Sequence, residues 1–287
     1  MGSVRIAIIG LGLIGGSIGL ALRGINKSGW EIVGYVRRPE AASTLLSLGV
    51  VDEVETNLIR AVKEATLVVI ATPVLTIEEI LSQISKYLSP GCIVTDVSST
   101  KVEVMKWADK LLPPVVNFIG GHPMAGKETY GIHAADARLF QGCIYCLTPA
   151  RKASPEAVDK VVDMVKELGA MPLFIDAEEH DNLVAGISHL PMLLSASLVS
   201  ATAGDSSWGG MSRLAASGYR DFTRLASGNP EVNAHICLSN KKAIVSWIDK
   251  FSRELKRYRQ LVSDGDNQLE KALTEAKKAR QEWLDGT

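Results

Sequence analysis

The stretch that decides the fold is Val4–Gly24, "VRIAIIGLGLIGGSIGLALRG". Six residues rich in β-branched side chains read as a strand. Twelve residues with small and apolar side chains, closed by Gly24, read as a helix. Between them Gly10, Gly12 and Gly15 form G-x-G-x-x-G. That pattern is informative only when it follows a strand and opens a helix, which is its setting here. Gly10 permits the tight turn, Gly12 lets a pyrophosphate approach the backbone, and Gly15 lets helix and strand pack closely. The helix N-terminus adds free N–H groups and a positive dipole end. Gly10, Gly12, Leu13, Ile14 and Gly15 are therefore candidate dinucleotide-binding residues.

The same alternation continues. Strand-like runs "EIVGYV", "ATLVVIATP", "GCIVTDV", "VVNFIGGHP", "CIYCLTP" and "MPLFIDA" alternate with helical patterns such as "TIEEILSQISKYL" and "PEAVDKVVDMVKELG". Strands alternating with helices predict an α/β domain: a Rossmann-type, mostly parallel sheet with helices on both faces. After about Asp176 no convincing strand remains. One long, almost uncharged helix is predicted over "EEHDNLVAGISHLPMLLSASLVSATAG". A second is predicted over "NPEVNAHICLSNKKAIVSWIDKFSRELKRYRQLV", and a charged third at the end, with Leu269, Leu273, Ala276 and Leu284 near one face. The expected division is a dinucleotide-binding domain, 1–176, and an all-α substrate-binding and dimerisation domain, 177–287. An apolar helix this long packs inside a core or against a partner chain.

The 287 residues are 46% apolar and 22% charged, with a formal net charge of −1. That is the composition of an ordinary soluble globular protein. It offers no overall basic field for nucleic acid or anionic membrane, so neither is expected as a partner. No signal-peptide pattern opens the chain and no apolar run is read as approaching the ~20 residues of a membrane span, so the expected location is cytoplasmic. Cys143 and Cys146 have C-x-x-C spacing but lack a second Cys or His pair to complete a zinc site, so no metal is expected.

A dinucleotide fold of this kind carries, about 20 residues beyond the glycine loop, an acid that accepts hydrogen bonds from the adenosine ribose. Here the place reads Val36-Arg37-Arg38. An acid would repel a 2′-phosphate, whereas Arg37 and Arg38 offer charged planar forks suited to one. The expected cofactor is NADP, with NAD as the alternative. Ligands in such folds lie beyond the carboxyl ends of the strands. Those ends carry Thr72 and Pro73; Asp96, Ser98, Ser99 and Lys101; and His122, Pro123 and Gly126. Thr72, Pro73 and Ser98 are candidate cofactor contacts. His122, on a glycine-flanked loop, is a natural proton acceptor, and Ser99 a hydroxyl that orients it or the substrate. In the helical part Arg220 and Arg224 are four apart, one helical face, and would clamp a carboxylate. His180 and His189 lie on or near the long helix.

The ordered set "GLGLIGGS", "ATP", "TDVSSTK", "GGHPMAG", "EEHD", "SHLP" and "GYRDFTRLASGNP" resembles the prephenate/arogenate dehydrogenase family of tyrosine biosynthesis, from about Val4 through the long helix starting near Pro230. The resemblance implies hydride transfer coupled to decarboxylation of a cyclohexadienol, in a homodimer made by the helical domain. By motif, His122 matches the catalytic base, Ser99 the serine that holds the ring hydroxyl, and Arg224 the binder of the ring carboxylate. Arg220 supports Arg224, and His180 matches a histidine near the substrate; His189 is carried as a further substrate contact. Two positions depart from the family pattern. Met192 stands where many prephenate-preferring members have His in "SHLPH", and Val36 where NAD-using members have Asp. Prephenate is the expected substrate, with arogenate, or both, as the alternative. No regulatory or mutase domain is expected. Two remoter alternatives are a β-hydroxyacid dehydrogenase, which would carry a lysine on the long helix, and a non-catalytic NADP sensor.

Overall fold

A computed structural model describes residues 4–25, 30–265 and 267–286. The stretch Val4–Gly24 is strand β1 (Val4–Ile9), a turn at Gly10–Gly12, and helix α1 (Leu13–Gly24). Then follow β2 (Trp30–Tyr35), α2 (Ala41–Ser47), β3 (Glu53–Glu55), α3 (Leu58–Val62), β4 (Leu67–Ile70), α4 (Ile77–Ile84), β5 (Ile93–Asp96), α5 (Val102–Leu111), β6 (Asn117–Pro123), β7 (Ile144–Pro149), α6 (Pro155–Glu167) and β8 (Met171–Phe174). The short pair β3 and α3 has no clear period in sequence. Asn57 makes α3 possible by accepting from the N–H groups of Ile59 and Arg60 at 3.0 and 3.1 Å.

The eight strands form one sheet in the order β3-β2-β1-β4-β5-β6-β7-β8, parallel except between β6 and β7. Alternate side chains of β1 enter two separate cores. Ile6 and Ile8 pack with Ile18 and Leu22 of α1 and Val161 and Val165 of α6. Ala7 and Ile9 pack on the other face with Val62 of α3, Ile77 and Leu81 of α4 and Val104 of α5. Both faces being covered explains why these strands read as continuous apolar runs. Each fully buried aliphatic side chain contributes roughly 1.5–3 kcal/mol. The winding reverses between β1 and β4, the crevice where such sheets bind ligands.

Beyond β8 come α7 (Ala177–Val184), a π-helical turn (Ala185–His189), α8 (Leu190–Ala203), α9 (Trp208–Leu214), α10 (Ser217–Thr223), a 3-10 turn (Arg224–Ser227), α11 (Pro230–Ser239), α12 (Lys241–Asp264) and α13 (Gln268–Asp285). The helix expected over the first apolar stretch runs through Ala177–Ala203, widened by the π turn just before Pro191. Proline lacks the N–H that a regular turn would use and crowds the preceding carbonyl, and a π turn accommodates both. This helix is long and apolar enough to cross a bilayer by length and composition, with 28% of its apolar window buried. The reading that no run reaches that length is thus corrected. Leu, Val, Ile, Met and Ala raise the hydropathy, and the Ser and Thr residues between them break it into short blocks without adding charge.

The second expected long helix is corrected too: it is α11 and α12, broken at Asn240 (φ −120°, ψ 34°). On α13 the buried residue is Ala272, while Leu273 is exposed. By compactness the chain divides into Met1–Lys241 and Lys242–Thr287. The second unit is built from α12 and α13, with the Tyr258 hydroxyl donating to the Ala272 carbonyl at 3.3 Å.

Candidate active site

The glycine loop lies at the switch between β1 and β4. Gly10 has φ +96°, and a Cβ there would meet the Ala71 carbonyl oxygen at 2.6 Å and Thr72 Cγ2 at 2.8 Å. A Cβ on Gly15 would stand 1.9 Å from the Gly10 oxygen, so helix and strand could not approach as they do. At Gly12 a Cβ would meet no atom within 4 Å. The first turn of α1 carries no acid and no capping side chain. Open space before uncapped N–H groups fits a dinucleotide pyrophosphate. Leu13 and Ile14 are half-buried in that first turn. Thr72 and Pro73 follow β4 on the opposite side, with Thr72 Oγ1 accepting from Thr76 Oγ1 at 2.8 Å. Arg37 and Arg38 are exposed just past the end of β2.

His122 is the penultimate residue of β6 and is buried. Its Nδ1 lies 2.8 Å from His180 Nε2. His180 Nδ1 lies 2.8 Å from Asp181 Oδ1. The two Asp181 oxygens also accept from the N–H groups of Lys101 and Val102, at 2.7 and 2.9 Å, and so cap α5 from outside. Asp176 opens α7 by accepting from Glu178 N–H at 2.8 Å and thereby sets where His180 projects. Two sequence motifs 58 residues apart therefore make one hydrogen-bonded line, His122–His180–Asp181. Burial, then the neighbouring His180, Lys101 and His189, hold the His122 imidazolium well below the usual histidine range.

Beneath this line lies a buried ion pair. Lys101 Nζ contacts the Asp96 carboxylate, the Gly121 carbonyl at 2.6 Å and Ser98 Oγ at 3.2 Å. Asp96 also accepts from Gly121 N–H at 3.1 Å, Ser98 N–H at 2.9 Å and the Ser98 hydroxyl. The Ser98 hydroxyl is thus engaged within the protein. Burial lowers the Lys101 pKa, and Asp96 opposes that shift. The cluster grips the backbone of Gly121, immediately before His122. Ser99 is half-buried in the same loop. His189, in the π turn, is fully buried, and burial pushes its pKa down to about 4.

Arg220 and Arg224 do not share one regular helix. Arg220 is exposed on α10, and Arg224 opens the 3-10 turn. Arg224 pairs with Glu128, which follows the His122 strand. Cys143 and Cys146 are free thiols, both raised by burial. Sequence reasoning missed the roles of Asp96, Lys101, Asp181, Asn240 and Glu128. The available signal was the Asp96–Lys101 spacing at a strand end, since charges there that become buried must pair.

Family models described as "Prephenate dehydrogenase, nucleotide-binding domain" and "Prephenate dehydrogenase, dimerization domain" match residues 18–173 and 176–276. Prephenate dehydrogenase of Bacillus subtilis is 40% identical over 266 residues, 91% of this chain and 71% of the relative. Cyclohexadienyl dehydrogenase of Zymomonas mobilis is 34% identical, over 96% of this chain and 94% of the relative. Among solved structures, prephenate dehydrogenase from Aquifex aeolicus in complex with hydroxyphenyl propionate and NAD+ superposes with a TM-score of 0.90, at 29% identity over 98% of this chain and 99% of that one. Synechocystis arogenate dehydrogenase superposes at 0.82, with 31% identity over 98% and 100%.

Proposed function

Because the chain belongs to the prephenate dehydrogenase family of NAD(P)-dependent oxidoreductases, we propose that it oxidatively decarboxylates prephenate to 4-hydroxyphenylpyruvate in tyrosine biosynthesis, preferring NADP to NAD. The observation that carries the reaction is the His122–His180–Asp181 line. Asp181 accepts from main-chain N–H groups, so it also accepts from His180 Nδ1–H. His180 Nε2 is then left to accept from His122 Nδ1–H. His122 therefore offers the lone pair of its Nε2, and burial keeps it unprotonated.

Gly10, Gly12, Gly15 and the first turn of α1, with Leu13 and Ile14, would hold the cofactor, flanked by Thr72 and Pro73. Arg37 and Arg38 would meet a 2′-phosphate. When bound, the nicotinamide supplies the hydride acceptor. His122 takes the proton of the ring hydroxyl as hydride leaves the same carbon. The carbon–carboxylate bond then breaks, carbon dioxide departs, and its electron pair completes the aromatic ring. His122 returns the proton to the phenol oxygen, so no net proton is consumed. Aromatisation supplies driving force, and alignment is the protein's main task. Ser99 would orient the hydroxyl, and Arg224 would bind the ring carboxylate with Arg220 in support, once the substrate competes with Glu128.

Residues 177–287 serve as the substrate-binding and dimerisation domain. The exposed apolar residues Leu183 and Ile187 are then covered by the second copy in a cytoplasmic homodimer. Arogenate is the second reading, favoured by Met192 in place of a polar histidine contact. His122→Asn tests the mechanism: cofactor binding stays unchanged while turnover falls about 10²–10⁴-fold. Near-wild-type turnover would refute His122 as the base.

A further inference from the structure

Asn240 breaks the helix between α11 and α12, and its side chain is buried. Its Nδ2 donates to the Asp181 carbonyl at 2.6 Å. A carbonyl only accepts, so this contact fixes which end of the amide is nitrogen. The same Nδ2 lies 3.3 Å from His189 Nδ1. Facing a donor, Nδ1 must accept, and a neutral His189 then carries its proton on Nε2. Burial holds His189 neutral near pH 7. Its Nε2 is buried and has no hydrogen-bond partner. The Ser99 main chain lies close enough to favour the protonated ring, but outside hydrogen-bonding geometry.

A buried donor without an acceptor costs roughly 1–3 kcal/mol. It is therefore a donor waiting for an oxygen that a ligand brings. The neighbouring imidazole has the opposite polarity: His122 offers a lone pair, His189 an N–H. Both imidazoles are referenced to residue 181, His122 through His180 and the Asp181 side chain, His189 through Asn240 and the Asp181 carbonyl.

We propose that Asn240 is a positioning residue that locks His189 in the Nε2–H tautomer, so that this N–H donates to an oxygen of the bound substrate. The inference rests on the reaction assigned above. A regular helix through residue 240 would lose this contact, which gives the break a purpose. Asn240→Asp, when ionised, presents only acceptor oxygens to His189 Nδ1 and so demands a proton there.

The test is a long-range proton–nitrogen correlation spectrum of the full-length protein, ¹⁵N-labelled at histidine, with His189 assigned from the His189→Gln variant. The wild type should show the Nε2–H tautomer, and its Nε2 resonance should move on saturation with prephenate. Asn240→Asp should move the proton to Nδ1 and raise the KM for prephenate about tenfold, the worth of one hydrogen bond to a buried donor. Cofactor affinity should stay within about twofold, a fraction of that energy. An Nδ1–H tautomer in the wild type, a resonance unmoved by prephenate, or a switched tautomer with unchanged KM each overturns the proposal. The wild-type spectrum decides even if the variant does not fold. The tautomer is read without turnover, so an Nε2–H tautomer in a chain inert toward prephenate would sink the reaction and leave the tautomer lock standing.

Discussion

Replacing Lys101 by methionine removes the cation of the buried Asp96 pair while keeping much of the side-chain volume. Both side chains are fully buried. Breaking such a pair from one side costs about 3–5 kcal/mol, because a charge remains without its partner. Asp96 keeps donors from Gly121 N–H, Ser98 N–H and the Ser98 hydroxyl. The expected loss is thus at the lower end, about 3 kcal/mol. For a protein of this size that lowers Tm by roughly 6–12 °C, at about 2–4 °C per kcal/mol. Removing both charges, Asp96→Asn with Lys101→Met, should cost at least about 1 kcal/mol less than the sum of the single changes, since contacting residues couple by 0.5–3 kcal/mol. Thermal melts and urea unfolding of the three variants and the wild type measure this cycle. A Lys101→Met midpoint within about 2 °C of wild type, below the shift worth 1 kcal/mol, or strict additivity, would refute the buried-pair argument.

Three further outcomes follow from the same geometry. His189, near pKa 4 when folded and about 6.5 when unfolded, contributes stability that is fully present above pH 6.5 and is lost as pH falls towards 4. Denaturant titrations should show a loss of up to about 3 kcal/mol across that window, reduced in His189→Gln, and a flat profile in both proteins would contradict the burial. The Tyr145 hydroxyl is buried without a partner, so Tyr145→Phe should be neutral or stabilising by up to about 1 kcal/mol in the same assay; a loss above 1 kcal/mol would reveal a partner. Gly15→Ala puts a methyl 1.9 Å from the Gly10 oxygen and must push α1 off the sheet. Its cofactor Kd should rise at least about tenfold, the scale of one lost pyrophosphate contact, and unchanged titration calorimetry would argue against the loop's role.

The sheet was legible because both its faces are covered. Buried strands such as Val4–Ile9 and Leu67–Ile70 read as apolar runs, and the glycines that bend the chain between strand and helix are visible as residue types. The antiparallel entry of β7 was not legible, since its run of residues looks the same in either direction. Candidate site residues with characteristic chemistry, His122 and Arg224 above all, stand out by type and by motif. Asp181 and Asn240 do not, because their work is to hold other groups across 79 and 51 residues of chain. The break at Asn240 was hidden for a related reason. Local periodicity continues straight through it, and only the partners Asp181 and His189 make the break worthwhile. The helix Ala177–Ala203 shows the converse, where the scarcity of charge is visible in the sequence but what covers the helix is not.

Initial rates decide whether the chain carries out the proposed reaction. The purified chain is given prephenate or arogenate, each with NAD or NADP, and reduced nicotinamide and carbon dioxide are measured together. One carbon dioxide per reduced nicotinamide is expected, with prephenate as the better substrate and NADP as the better cofactor. Turnover that prefers NAD would remove the Arg37 and Arg38 argument alone. No turnover of either acid with either cofactor, in a chain that still binds the dinucleotide, would contradict the proposed reaction.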